Sequence, residues 1–336
     1  LKLRTSLTAA LMLTASSMAT HAQDVTLRVA DSLPVGHYMT KGVLEPLMAA
    51  AQESTGVTFQ HFPAEQLGKA KDMLSLVQTG VADIAYVGAS YVADKLPLSS
   101  VGELPEAFET SCQGTKAFWE IAKPGGTLDQ AEYAPEGVRV LAVLVLPPYQ
   151  LYSAKDITDL ASISGQKIRA TGAAKQLALS KLGAVPVAMS APETREALSR
   201  GTVDGIAFAT GSIRAYDLVP HLKTSTTGAN FGSFVATWMI AQSKFDSLSP
   251  ELQTALTEAG EAATLNGCTE TDAATDGEVQ AMKDGGITFV QLPEADMASL
   301  TQTMGSIGDE WAAELDGRNR PGTEVLNAFR AALKAE

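Results

Sequence analysis

Arg169 closes a short strand-like run, Gly165-Gln-Lys-Ile-Arg169-Ala, in a chain with 25 Lys and Arg against 38 Asp and Glu. A guanidinium leading out of an apolar strand end offers a planar fork of donors that fits a carboxylate by two parallel hydrogen bonds. The chemistry this suggests is the holding of a small anion, and the alternative is a surface arginine on a strand edge. Other chemistries find little support. Of four histidines, His21 falls in the leader described below, and His37, His61 and His221 lack metal-ligand spacing. There is no Gly-x-Ser-x-Gly elbow, P-loop or Gly-x-Gly-x-x-Gly fingerprint. No enzymatic activity, cofactor or metal is expected, a hydrolase with a dispersed triad being the one enzymatic alternative.

The elements that must position Arg169 start after a leader. Lys2 and Arg4, the uncharged run Leu7 to Met18 and small residues up to Ala22 form a secretory signal at 1–22, with cleavage expected near Ala22 and export of the mature chain. Its removal takes two positive charges from a formal net of −13, leaving −15. Such an acidic chain without a basic stripe has no footprint for nucleic acid.

From Val25 strand-like and helix-like pieces alternate. Strands are expected at 25–30, 57–62, 81–87, 140–146, 167–170, 185–188 and 203–207, with helices near 41–53, 69–79, 173–182 and 192–200. This is an α/β chain with mostly parallel sheets. Gln78-Thr-Gly-Val-Ala-Asp-Ile-Ala-Tyr86 echoes Arg200-Gly-Thr-Val-Asp-Gly-Ile-Ala-Phe208, each a glycine-ended helix followed by a strand that delivers an aromatic. Two similar lobes facing one cleft follow, with ligand at the carboxyl ends of the strands. Ser249-Pro250-Glu251 opens a helix persisting to about Lys283, near 50 Å long and able to brace both lobes. Cys112 and Cys268 either pair in an oxidising compartment or remain two buried thiols.

In their order, these residues resemble the periplasmic solute-binding proteins of tripartite ATP-independent (TRAP) transporters, the DctP-like family. The resemblance rests on Leu33-Pro34 with His37, Gln66-Leu-Gly68, Met73-Leu74, Val77-Gln78-x-Gly80-x-Ala-Asp83 and Gly165-x-Lys-Ile-Arg169. It continues through Leu182-Gly183-Ala184-x-Pro186-Val187, Glu196 to Gly205, and Phe245-Asp-Ser-Leu248. It implies a two-lobed binding-protein fold with crossing strands and one long helix spanning both lobes. The expected division is 23–146 plus about 235–274 for lobe I and 147–234 plus about 275–336 for lobe II. It also implies that Arg169 pairs with the ligand carboxylate and that the loaded protein docks on TRAP membrane subunits. An ABC-type importer receptor and a ligand-sensing periplasmic subunit are the alternatives.

The best-known sialic-acid-binding members use a second arginine, an aromatic and an asparagine beside that arginine. Here Tyr149 stands at the second arginine, Phe208 at the asparagine and Met189 near the aromatic. Phenol and benzene rings leave sugar hydroxyls unpaired, so a monocarboxylate with an apolar or aromatic part, or a short oxo or hydroxy acid, is the expected ligand rather than a sugar acid. Phe234 and Trp238 share one face of a crossing strand at period two. His37 lies in the loop after the first strand, Ser32 and Tyr86 are further candidates, and a bare Gly88 would admit ligand bulk.

Overall fold

A computed structural model of the chain describes residues 25–105 and 108–335, so the expected leader at 1–22 lies outside them. In chain order come β1 (Thr26–Ala30), α1 (Glu45–Thr55), β2 (Thr58–Phe62), α2 (Met73–Gln78), β3 (Ile84–Gly88), α3 (Ser111–Ala122) and β4 (Val138–Val145). Next are β5 (Gln150–Ser153), β6 (Lys167–Ala170), α4 (Ala173–Lys181), β7 (Val185–Ala188), α5 (Thr194–Ser199), β8 (Gly205–Phe208), α6 (Thr210–Ala215) and β9 (Thr224–Thr227). The chain ends with β10 (Val235–Ala241), α7 (Gln242–Asp246), α8 (Pro250–Asp284), β11 (Thr288–Gln291), α9 (Glu294–Gly305), α10 (Ile307–Gly317) and α11 (Gly322–Ala335).

Two sheets form, ordered β2-β1-β3-β10-β4 and β11-β9-β5-β8-β6-β7. In each, one strand runs against the rest: β10 is antiparallel to β3 and β4, and β5 to β8 and β9. These two strands enter their sheet directly from a strand of the other, so the crossing reverses chain direction relative to the parallel βα units, whereas β11 comes over by way of α8 and runs parallel to β9. The crossings run side by side, with Leu146 N donating to Phe234 O at 2.9 Å and Tyr149 N to Gly232 O at 2.7 Å. Pro147 and Pro148 stiffen the first of them.

The repeated Gly-x-x-Asp sequence has a common physical basis in both lobes. Gly80 and Gly201 take left-handed φ of 72° and 67° after α2 and α5. Asp83 then accepts from Arg28 N at 2.8 Å and Asp204 from Lys167 N at 2.9 Å. Each aspartate thus locks its turn to the neighbouring parallel strand, and β3 and β8 begin just after it, a little later than the apolar pattern predicts.

Helix α8 has 35 residues, with Ser249 Oγ accepting from Leu252 N at 3.3 Å as its N-cap. Its buried face packs on α1, α3 and β4 in one lobe and on α6 in the other, which makes it the expected brace. Cys112 and Cys268 are disulfide-bonded with Cα atoms 4.7 Å apart, stapling the start of α3 to the middle of α8. The Asp272 carboxylate accepts from Ser111 N and Cys112 N at 2.7 and 2.9 Å, capping α3 beside that staple.

The C-terminal segment departs from the expected division. Helices α9 and α10 pack on α4 of the second lobe, but α11 returns to α3 of the first. Its apolar stripe of Val325, Leu326 and Phe329 is buried there, Phe329 lying edge-on to Phe108 at 6.4 Å. The assignment of all of 275–336 to lobe II is corrected accordingly, because an amphipathic helix goes where its stripe finds a core.

A buried ion pair joins the lobes beside the crossings. Lys175 Nζ on α4 lies 2.7 Å from Glu103 Oε2, which ends a 3₁₀ helix packed on β10, and both side chains are 1% exposed. Glu103 also accepts from Ser90 Oγ, from Ser90 N at 3.3 Å and from Val235 N at 3.2 Å, while Lys175 donates to Ser233 O at 2.5 Å. Burial pulls the Lys175 ammonium below the ordinary lysine range, with Glu103 pushing the other way.

Lys175→Met should cost about 3 kcal/mol in urea unfolding, by stranding the Glu103 charge, and adding Glu103→Gln should recover much of it; simple additivity of the two losses would show that the pair is not coupled. Reducing the disulfide, which spans 156 residues, should lower unfolding free energy by about 2–5 kcal/mol, and an unchanged urea midpoint in reductant would refute that contribution.

Candidate functional site

Strand β6 delivers Arg169 to the carboxyl end of the second sheet, between β7 and β8. Its side chain is 1% exposed. Nε donates to Met189 O at 3.2 Å and Nη1 to Ala207 O at 3.4 Å, so the carbonyls ending β7 and β8 hold the guanidinium by one edge. Phe208 lies beneath it, 4.8 Å from Cζ to ring centroid. No carboxylate stands within ion-pair distance of Arg169 among the described residues. A guanidinium cannot neutralise itself by losing a proton, so this buried charge is balanced by carbonyl dipoles, a ring face and the neighbouring Tyr91 phenol.

Next to it, where the lobes meet, lies a narrow, partly open cavity with room for little more than a water molecule. Tyr86, Tyr91, Phe234, Leu146 and Met39 line it from the first lobe and the crossings, and Tyr149, Phe208, Ala191, Ser212 and Tyr216 from the second. Arg169 is set one side chain back from the cavity, behind Phe208 and Tyr91. Burial pushes the Tyr91 phenol up, against the pull of the Arg169 guanidinium beside it. Two contacts close the lobes over the cavity: Ala191 N donates to Tyr91 Oη at 3.0 Å, and Tyr38 Oη lies 3.2 Å from Ser212 Oγ. Outside Tyr91 the cleft widens toward its mouth, lined by Lys69, Lys71, Thr171, Gln176, Met189 and Glu193 among others.

The structure brings together most, but not all, of the residues singled out in the sequence. Tyr149, Phe208, Tyr86 and Phe234 are cavity walls, with Tyr149 and Phe208 ring centroids 6.1 Å apart. Met189 contributes its carbonyl to Arg169 and its half-buried side chain to the cleft mouth. Trp238 is fully buried beneath Tyr86, ring centroids 5.7 Å apart, and supports the wall from behind. Ser32 faces a separate outer depression with Pro34, Arg195 and Asp217. His37 stacks on Tyr38 at 4.6 Å and meets Tyr216 edge-on at 5.3 Å. Its Nδ1 accepts from Met39 N at 3.3 Å, and burial drives its pKa down to about 3, leaving a neutral ring with the proton on Nε2.

Gly88 needs correction. A Cβ there would sit 2.4 Å from Phe234 Cζ and 2.8 Å from Tyr91 Cδ2, so its bareness admits two protein rings rather than ligand bulk. Tyr91, Ser212 and Tyr216, which carry no strong sequence signal, also shape the cavity. The signal for Tyr91 was its place just past the end of β3. Tyr216 follows α6 with no local pattern to mark it.

A family profile described as bacterial extracellular solute-binding protein, family 7 (DctP), matches residues 29–314. The "Outer membrane transporter protein TsaT" of Comamonas testosteroni is 24% identical over 340 residues, covering 99% of this chain and 98% of that protein. Among solved structures, a TRAP solute binding protein from Rhodoferax ferrireducens in complex with copurified benzoate superposes with a TM-score of 0.84 at 22% identity, covering 93% of this chain and 98% of that one. A TRAP periplasmic solute binding protein from Bordetella bronchiseptica with bound (R)- and (S)-mandelate gives 0.82 at 23% identity, with 93% and 99% covered. The two-lobed fold is thus shared, and the chain belongs to the DctP family of bacterial extracellular solute-binding proteins.

Proposed function

We propose that this protein captures a small organic monocarboxylate between its lobes, with the carboxylate on Arg169 and an apolar or aromatic portion among Tyr149, Phe208, Phe234 and Tyr86. The observation that carries this reading is a buried guanidinium with no acid partner among the described residues, next to a cavity walled mainly by rings. Lys175, the other deeply buried cation nearby, is already neutralised by Glu103. An incoming carboxylate would give Arg169 the partner it lacks, in a site where closure has removed competing water. The benzoate and mandelate of the two solved relatives are acids of this kind.

Ligand binding then selects the closed arrangement, since only there do walls from both lobes touch it. In keeping with its family, the closed form would deliver its ligand to TRAP membrane subunits in the periplasm. Isothermal titration of the purified protein should detect benzoate or mandelate but neither succinate nor a sialic acid. Arg169→Ala should weaken the bound acid at least about 100-fold while the urea midpoint shows a folded protein. Retained affinity in that variant, or a response confined to dicarboxylates and sugar acids, would refute the assignment.

A further inference from the structure

Tyr91 stands between two spaces of very different size. On one side is the inner cavity beside Arg169, with room for little more than a water molecule, and on the other the cleft mouth, which offers about 590 Å³. Benzoate or any comparable acid cannot enter the inner cavity with its walls as they stand. One wall has to move, and the walls differ in how firmly they are held. Tyr86 lies within β3, Phe208 ends β8, and Tyr149 and Phe234 belong to the hydrogen-bonded crossings; all four are buried. Tyr216 is partly exposed, yet Phe208 and His37 meet its ring edge-on from opposite lobes, at 5.8 and 5.3 Å.

Tyr91 is held differently. It ends a single 3₁₀ turn, Ala89–Tyr91, and is partly exposed where it borders the cleft mouth. Its ring lies 5.2 Å from that of Phe234, in the space that bare Gly88 leaves to both. Its phenol makes the polar contacts: Oη accepts from Ala191 N at 3.0 Å across the lobes and lies beside the Arg169 guanidinium. Arg169 Nε and Nη1 are already committed to Met189 O and Ala207 O. The phenol oxygen thus does in part what a carboxylate oxygen would do at the guanidinium. Being neutral, it is the weaker partner of the two.

We propose that Tyr91 is a specificity-determining, displaceable occupant of the carboxylate's place: an incoming acid takes the phenol's position at Arg169, and the Tyr91 ring swings into the cleft mouth. The mouth can receive it, and Thr171, whose hydroxyl is buried without a hydrogen-bond partner, forms part of its wall. The space left behind has the shape of a flat ring with an oxygen at one end, and benzoate presents ring and oxygen in that same order. This role rests on the carboxylate reading above and adds to it a competitor built into the chain. Ligand affinity is lowered by the fraction of molecules in which the ring occupies the site. Contacts that the phenol makes only with its ring in the site are absent from the complex, so losing them should tighten binding. A wall that stays in place around the ligand would give the opposite sign.

The test is calorimetric titration of the full chain and of Tyr91→Phe with benzoate, together with urea unfolding of both, with and without saturating benzoate. Tyr91→Phe should bind benzoate about five- to tenfold more tightly. Without benzoate it should unfold at lower urea than the unaltered protein, because Ala191 N loses its acceptor. At saturating benzoate the two midpoints should coincide, since the complex lacks those contacts in either protein. Tyr133→Phe, which loses a buried hydroxyl bonded to Ser99 away from the site, should instead lower the midpoint equally with and without benzoate. Equal or looser binding in Tyr91→Phe, or a midpoint difference that persists in benzoate, overturns the displacement while leaving the role of Arg169 intact. Equal binding of benzoate to Arg169→Ala and to the unaltered protein, or no binding to the unaltered protein and Tyr91→Phe alike, overturns the carboxylate reading and the displacement with it.

Discussion

A guanidinium buried without an acid is the constraint on which the cleft depends. Such a charge persists only where dipoles and a polarisable ring replace part of its hydration. The carbonyls ending β7 and β8 and the face of Phe208 do this for Arg169. They reach it because β6, β7 and β8 are parallel neighbours whose carboxyl ends converge. The contrast with Lys175 is informative. That cation has its own buried acid and serves to hold two lobes together, whereas Arg169 keeps its outer edge uncommitted to any acidic side chain among the described residues.

Closure is the second requirement, because the rings that surround the cavity come from both lobes. Two antiparallel crossings provide a narrow connection, hydrogen-bonded to each other through residues 146–149 and 231–234. Helix α8 then lies along both lobes, pinned to α3 by the disulfide and to α6 by the 3.1 Å Arg214–Glu278 pair. At Gly260 the helix comes so close to β4 that a Cβ would stand 2.0 Å from Leu141 O. The first lobe and the helix therefore form one packed unit.

Much of this was legible in the chain, and for physical reasons. Periodicity shows which segments bury a face, and left-handed glycines mark where helices must end, so the repeated Gly-x-x-Asp turns and the long capped helix could be read directly. Arg169 stood out by charge type at a strand end. Tyr91, Tyr216, Glu103 and Lys175 did not, because each looks local and ordinary: two loop tyrosines, an acid near a turn and one lysine among several on a helix. Their roles arise from neighbours far along the chain, with Lys175 and Glu103 72 residues apart. Gly88 misled for the same reason, since a missing side chain says that something approaches closely but not what.

The sequence by itself determined the element types, the parallel βα pattern, the family and the cation at the strand end. These are set by local backbone preference, by hydrophobic period and by the fixed charge of one residue type. Tertiary structure decided which groups neutralise that charge and which rings close around it. It also carried α11 back to the first lobe. Those outcomes depend on distances between segments that only the assembled sheets bring together.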